Sequence, residues 1–313
     1  MARYRDALPQ LSGDLFLTDG GLETTLIFHE GFQLPDFAAF VLLRDDAGRA
    51  AIEKYFRTHA SIAARLGVGF VLESATWRAS PDWAEKLGFT IEELTDANRQ
   101  SIELLGGLRE ELEGDGPPMV ISGCIGPRGD GYNPAVMMSA EEAEKYHALQ
   151  ARVFADTDAD MVTAVTMTHA GEAVGVARAA RSAGMPVVIS FTVETDGRLP
   201  SGQALGEAIV EVDAATDDIP AYYMINCAHP THFADTLATG ASWTQRIRGI
   251  RANASAMSHA ELDEAEVLDD GDPAEFASLY RELRERLSHI NVLGGCCGTD
   301  HRHIEAVGKA CVD

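Results

Sequence analysis

The sequence predicts one (β/α)8 TIM barrel domain spanning residues 1–313, and three observations lead there. Short apolar, β-branched runs recur eight times along the chain. Patterns with helical periodicity separate them. The runs are apolar almost throughout, as strands are when helices cover both faces of a parallel sheet. Eight strand–helix units in 313 residues are the right size for a closed barrel.

Taken in order, the expected strands are "LFLTDG" (15–20), "VGFVLES" (68–74), "MVISGC" (119–124) and "DMVTAVT" (160–166). They continue with "PVVISFT" (186–192), "AYYMINC" (221–227), "RIRGIRAN" (246–253) and "INVLGGCC" (290–297). Between them, "AGRAAIEKYFRTHASIAARLG" and "SAEEAEKYHALQARVFADTDA" repeat apolar residues at three- and four-residue spacing, with charges on the other positions. Ser139 followed by Glu142 reads as a capping box that starts the second of these. "ELEGDGPPM" (111–119) reads as a loop, and the acidic "ELDEAEVLDDGDPAE" (261–275) as a solvated loop with a helix cap. An open doubly wound sheet is the competing architecture. Its dinucleotide site needs G-x-G-x-x-G after the first strand, which "DGGLETTL" (19–26) does not supply.

Composition narrows the partners. Hydrophobic residues make up 46% of the chain, enough for a large core, and the net charge is −24. Such an acidic protein repels phosphate backbones and anionic lipid, so no nucleic acid and no membrane partner is expected. No apolar run approaches the ~20 residues of a membrane span. "MARYRDALPQLSGDLFL" has no long apolar core of a secretory leader, so the cytoplasm is expected. A homo-oligomer stays open.

The chain has five cysteines, and in a reducing compartment clustered cysteines point to metal or catalysis before disulfides. Cys227 ends the sixth expected strand, and the adjacent Cys296 and Cys297 end the eighth. Barrel chemistry sits at the C-terminal ends of the strands, and alternate strands feed one interior layer. The three thiols are therefore expected to converge. Three thiolates make a soft site best suited to Zn2+, with a fourth position open for a substrate. Gly294, Gly295 and Gly298 are expected to bend the backbone so that both adjacent cysteines face inward. Cys124 and Cys311 read as small packing residues. A thiolate-rich zinc is a weak activator of water, but it holds a bound thiol deprotonated near neutral pH. The matching reaction is alkyl transfer to sulfur.

Five stretches complete the reading: "LTDGGLETTL" (17–26), "ESATWRAS" (73–80), "GCIGPRGD" (123–130), "INCAHP" (225–230) and "GGCCGT" (294–299). In this order they resemble the homocysteine S-methyltransferase family along nearly the whole chain. The resemblance implies a zinc-dependent methyltransferase that moves a methyl group from an onium donor to the thiol of homocysteine, giving methionine. Cys227, Cys296 and Cys297 correspond to the family's metal ligands and reaction centre, and Asp19 and Gly20 to part of its acceptor pocket. One position departs from the family. An acid that holds the acceptor's ammonium is expected at the end of the fourth strand, where this chain has Val165 followed by Thr166. Glu73 is the candidate replacement. Thr76, Trp77 and Arg78 follow the second strand, and Trp77 offers an aromatic face to a donor cation. Asp19, Gly20, Glu73, Thr76, Trp77 and Thr166 are thus the candidate substrate-binding residues. Of His169, His229 and His232, His229 lies nearest in sequence to a ligand cysteine. Two alternatives follow: another thiol acceptor on the same scaffold, motivated by Val165, or a zinc- and thiol-binding barrel without catalysis.

Overall fold

The computed structural model describes residues 2–132, 137–265 and 267–312. It is a closed barrel of eight parallel strands in chain order. These are β1 (Phe16–Leu17), β2 (Gly69–Glu73), β3 (Met119–Ile125), β4 (Met161–Met167), β5 (Val187–Phe191), β6 (Tyr222–Asn226), β7 (Ile247–Ala252) and β8 (Val292–Gly295). A helix follows each strand: α1 (Asp46–Leu66), α2 (Ile91–Leu112), α3 (Ala140–Ala155), α4 (Ala170–Ser182), α5 (Leu205–Thr216), α6 (Pro230–Leu237), α7 (Pro273–Arg286) and α8 (His301–Cys311). The barrel closes where Phe16 and Leu17 pair with Val292 and Leu293. Every expected strand is present, each within or next to its sequence-derived limits. No helix among the described residues is long and apolar enough to cross a membrane.

Local sequence explains the helix ends. Thr90 with Glu93 and Ser139 with Glu142 form capping boxes at α2 and α3. Asp45 caps α1 by accepting from the Gly48 amide, and Gly67 ends it in the left-handed conformation (φ 70°). The apolar faces of the helices pack on the outside of the barrel in one continuous core.

Inside the barrel the filling changes along the axis. Phe16, Val120, Met161, Val188, Tyr222 and Val292 form an apolar floor, covered from below by Leu8. The N-terminal segment closes that end: the Arg3 and Tyr4 amides donate to Asp160 Oδ1 at 2.7 and 2.8 Å. Asp160 Oδ2 accepts from buried Arg109 at 2.6 Å. Above the floor the interior turns polar. Ser122 and Thr163 hydroxyls bond at 2.8 Å, and Ser190 donates to Asn226 Oδ1 at 2.6 Å. The apolar floor seals one mouth of the barrel, and the polar layers open toward the C-terminal strand ends.

Candidate metal and substrate site

The three sequence-predicted cysteines converge. Their sulfur atoms lie within 4.8 Å of one another, the one such group of metal-ligand type among the described residues. None of the three is in a strand. β6 stops at Asn226, and Cys227 adopts a left-handed conformation (φ 53°) just beyond it. β8 stops at Gly295, and Cys296 and Cys297 enter a turn completed by Gly298 (φ 78°). The adjacent thiols reach one point because they have left the pleat, where alternation would separate them. Gly294 and Gly295 serve differently from the expected bend. Neither has a positive φ, and a Cβ on them would collide with the side chains of Thr18 and Thr299.

Cys227 and Cys296 are joined as a disulfide, with Cα atoms 5.4 Å apart, and Cys297 is free beside them. Burial pushes the Cys297 thiol up to about 11, although Tyr132, whose hydroxyl is 3.7 Å from its sulfur, pulls the other way. A thiol so placed ionises readily only beside a cation. In the reduced protein, three such sulfurs are the donor set that zinc takes, with room left for one more ligand. The residues fit the metal.

The sulfurs form part of the wall of a cavity of about 380 Å³ at the C-terminal strand ends. Asp19, Gly20, Glu73, Trp77 and Thr166 line it, as does Val165. Thr76 does not. It is fully buried, and its hydroxyl bonds Ser74 Oγ at 2.6 Å and the Cys124 carbonyl at 2.8 Å, tying the loop after β2 to β3. Cys124, read as a packing residue, is buried yet touches the cavity. The histidines at the strand ends stay outside it. His169 and His229 cap α4 and α6, and His232 lies 3.0 Å from the Ala256 carbonyl.

Several functional contacts were not read from the sequence. Buried Arg251 of β7 reaches Glu73 Oε2 at 2.6 Å and Asp19 Oδ1 at 2.8 Å, and also the Gly295 carbonyl at 3.2 Å. Its fork thus joins the ends of β1, β2 and β8 around the site. Burial nonetheless raises both carboxyls, with Arg251 opposing it. Asn226, beside Cys227, accepts from the Thr166 amide and donates to the Thr166 hydroxyl, both at 2.9 Å. It holds Thr166 at φ 61°, a costly conformation for a β-branched residue. That twist follows a register shift between Ala164 and Met167 and turns both Val165 and Thr166 to the cavity. His259 lies 2.6 Å from the Cys227 carbonyl through Nε2 and 3.0 Å from Glu194 through Nδ1, with Tyr132 stacked on its ring.

Near Trp77, the Arg78 guanidinium lies 4.0 Å from the Trp77 ring centre and 3.9 Å from that of Trp83. One face of Trp77 already carries a cation. The acidic segment read as solvated also folds over the cavity, where Leu262, Asp263 and Asp269 line it. Seven carboxylates and two guanidiniums face this space, so its field favours positive charge.

A homocysteine S-methyltransferase family model matches residues 16–311. Among solved structures, the chain is similar to the homocysteine methyltransferase MmuM from Escherichia coli. Its oxidized form superposes with a TM-score of 0.76 at 19% identity, covering 98% of this chain and 99% of that one. Its metallated form gives 0.72 at 18% identity, covering 95% and 96%. At this identity the likeness concerns the fold. No curated protein matches the chain in sequence.

Proposed function

The chain belongs to the homocysteine S-methyltransferase family, and from that premise we propose how its residues move a methyl group from an onium donor to the thiol of homocysteine, giving methionine. The observation that carries the reading is the three-sulfur cluster, within 4.8 Å, in the wall of a cavity large enough for two small substrates. Cys227, Cys296 and Cys297 are the residues that would hold zinc. When bound, it supplies the Lewis acidity that keeps an acceptor thiol deprotonated near neutral pH.

The chain's own residues do the rest. The surplus of carboxylates draws a sulfonium or quaternary ammonium donor into the mouth, and the aromatic corner of Trp77 and Trp83 offers it a low-dielectric wall. Arg251, neutralised by Asp19 and Glu73, fixes the strand ends around the sulfurs, so these two acids act by positioning. The Asn226–Thr166 pair fixes the wall opposite. Such preset geometry aligns thiol and methyl group, which is where most of the rate gain of a transfer between two bound substrates arises. Three reduced thiols at one site fit the cytoplasm as the working compartment.

The test uses reduced, zinc-loaded protein with homocysteine and, in turn, S-methylmethionine, S-adenosylmethionine and betaine. Methionine should form with at least one donor, and Cys297→Ser should lose both metal and turnover. Tight thiol binding with no methyl transfer from any donor would favour a non-catalytic barrel. Undiminished activity in Cys297→Ser would sink the assignment of the site.

A further inference from the structure

Val165 leaves the end of β4 without an acid, yet an amino-acid acceptor brings an ammonium into this cavity. The two deep carboxylates are each paired with Arg251. Asp19 pairs with Arg251 through one oxygen and accepts from Tyr55 at 3.1 Å through the other. Glu73 gives Oε2 to Arg251, and its Oε1, which has no hydrogen-bond partner, is shut off from solvent. Glu23 is different. It lines the same cavity, half-buried, on the turn that follows Asp19–Gly21. Among the described residues, no lysine, arginine or histidine stands within ion-pair distance of its carboxylate.

The turn that carries Glu23 is fixed against the sulfur cluster. The Gly21 amide donates to the Thr299 carbonyl at 2.9 Å, and Thr24 Oγ1 accepts from the Gly298 amide at 3.3 Å. A Cβ on Gly21 would stand 2.5 Å from the Cys296 carbonyl oxygen, so the two turns touch backbone to backbone. Burial, with the neighbouring Asp19 adding to it, raises the Glu23 carboxyl to about 7, against the pull of Arg251 and Arg78. A carboxylate on the cavity wall with no ion-pair partner is a group that a ligand ammonium would neutralise.

We propose that Glu23 receives the acceptor's ammonium, replacing from the β1 side the acid missing at Val165, and so makes this site select an amino-acid thiol. The proposal rests on the reading of the cavity as a thiol-acceptor site. Glu23 would set specificity, through a charge-assisted hydrogen bond made only by thiols that carry the amine.

Titration calorimetry on reduced, zinc-loaded protein tests it, with homocysteine and with 4-sulfanylbutanoate, which is homocysteine without its amine. The native protein should prefer homocysteine by about tenfold to a hundredfold, the size of a charged hydrogen bond in a buried pocket. Glu23→Gln should bring that ratio near one, and adding Val165→Glu to it should restore the preference. Metal content equal to native shows that the variants keep the site. A native ratio near one, or a ratio unchanged in Glu23→Gln, overturns the proposal and leaves the thiol-site reading standing. Failure of both thiols to bind native protein overturns the two together.

Discussion

Arg251 and His59 show how single residues set the energetics around the site. Arg251 is buried with two carboxylates on its fork, and removing one partner of such a pair strands the others without solvent. Arg251→Met should therefore cost about 3–5 kcal/mol in urea unfolding, and Arg251→Lys less, because a lysine keeps the charge and loses the fork. A loss below about 1 kcal/mol in Arg251→Met would show that Asp19 and Glu73 are protonated together in the fold. His59 lies one turn beyond Tyr55 on α1. It is 1% exposed, with Nδ1 2.9 Å from the Tyr55 carbonyl and Nε2 unpartnered. Burial pushes it down to about 4, so the folded state binds this proton less readily than the unfolded chain does. The resulting stability is fully present above the ordinary pKa of about 6.5 and is lost as pH falls from there toward 4. The loss should be on the order of 3 kcal/mol, and His59→Leu should flatten it. Equal slopes of stability against pH in native and variant protein would exclude His59 as the cause.

At the scale of elements, the three sulfurs sit where loops touch rather than where strands run. The turn after β1 lies against the turn after β8, with Gly20 and Gly21 at the contact. Gly21→Ala should push Cys296 outward and weaken metal binding at least tenfold, read by competition with a chelating dye, while far-ultraviolet circular dichroism stays native. Unchanged metal affinity would mean that the two turns part without moving the sulfurs. The elements themselves were legible. Continuous apolar runs marked the strands because both faces are covered, and Ser139 with Glu142 marked the start of α3. The cysteines were legible because two are adjacent and a third closes a strand. Arg251, Asn226 and His259 were not, because each matters through a partner distant in sequence. Arg251 did leave a signal: an arginine between Ile250 and Ala252 at the C-terminal end of a barrel strand must find acids when it is buried. The acidic loop near 263 is solvated as read, with Asp263 and Asp269 exposed and Asp272 capping α7, but its place beside the cavity was not legible, since charge at a cavity mouth reads in sequence like any charge that faces water.

For the whole molecule, net charge and cavity act in the same direction. A net charge of −24 and seven carboxylates around the cavity draw a cationic donor from a distance. Added salt shortens that reach to a few ångströms, from about 10 Å at 0.1 M. The KM for an onium donor should therefore rise severalfold between 20 mM and 500 mM salt, with a smaller change for the zwitterionic acceptor. Equal changes for both substrates would remove long-range attraction from the account. The split ligand set has a consequence for the order of events during synthesis. Cys227 and Cys296 stand 69 residues apart, with all of β7 and α7 between them. A nascent chain that has released only its first seven strands offers one of the three sulfurs and no barrel seam. Ion capture thus waits on ring closure, and metal uptake by translation intermediates arrested at successive lengths would time the moment at which the last strand docks.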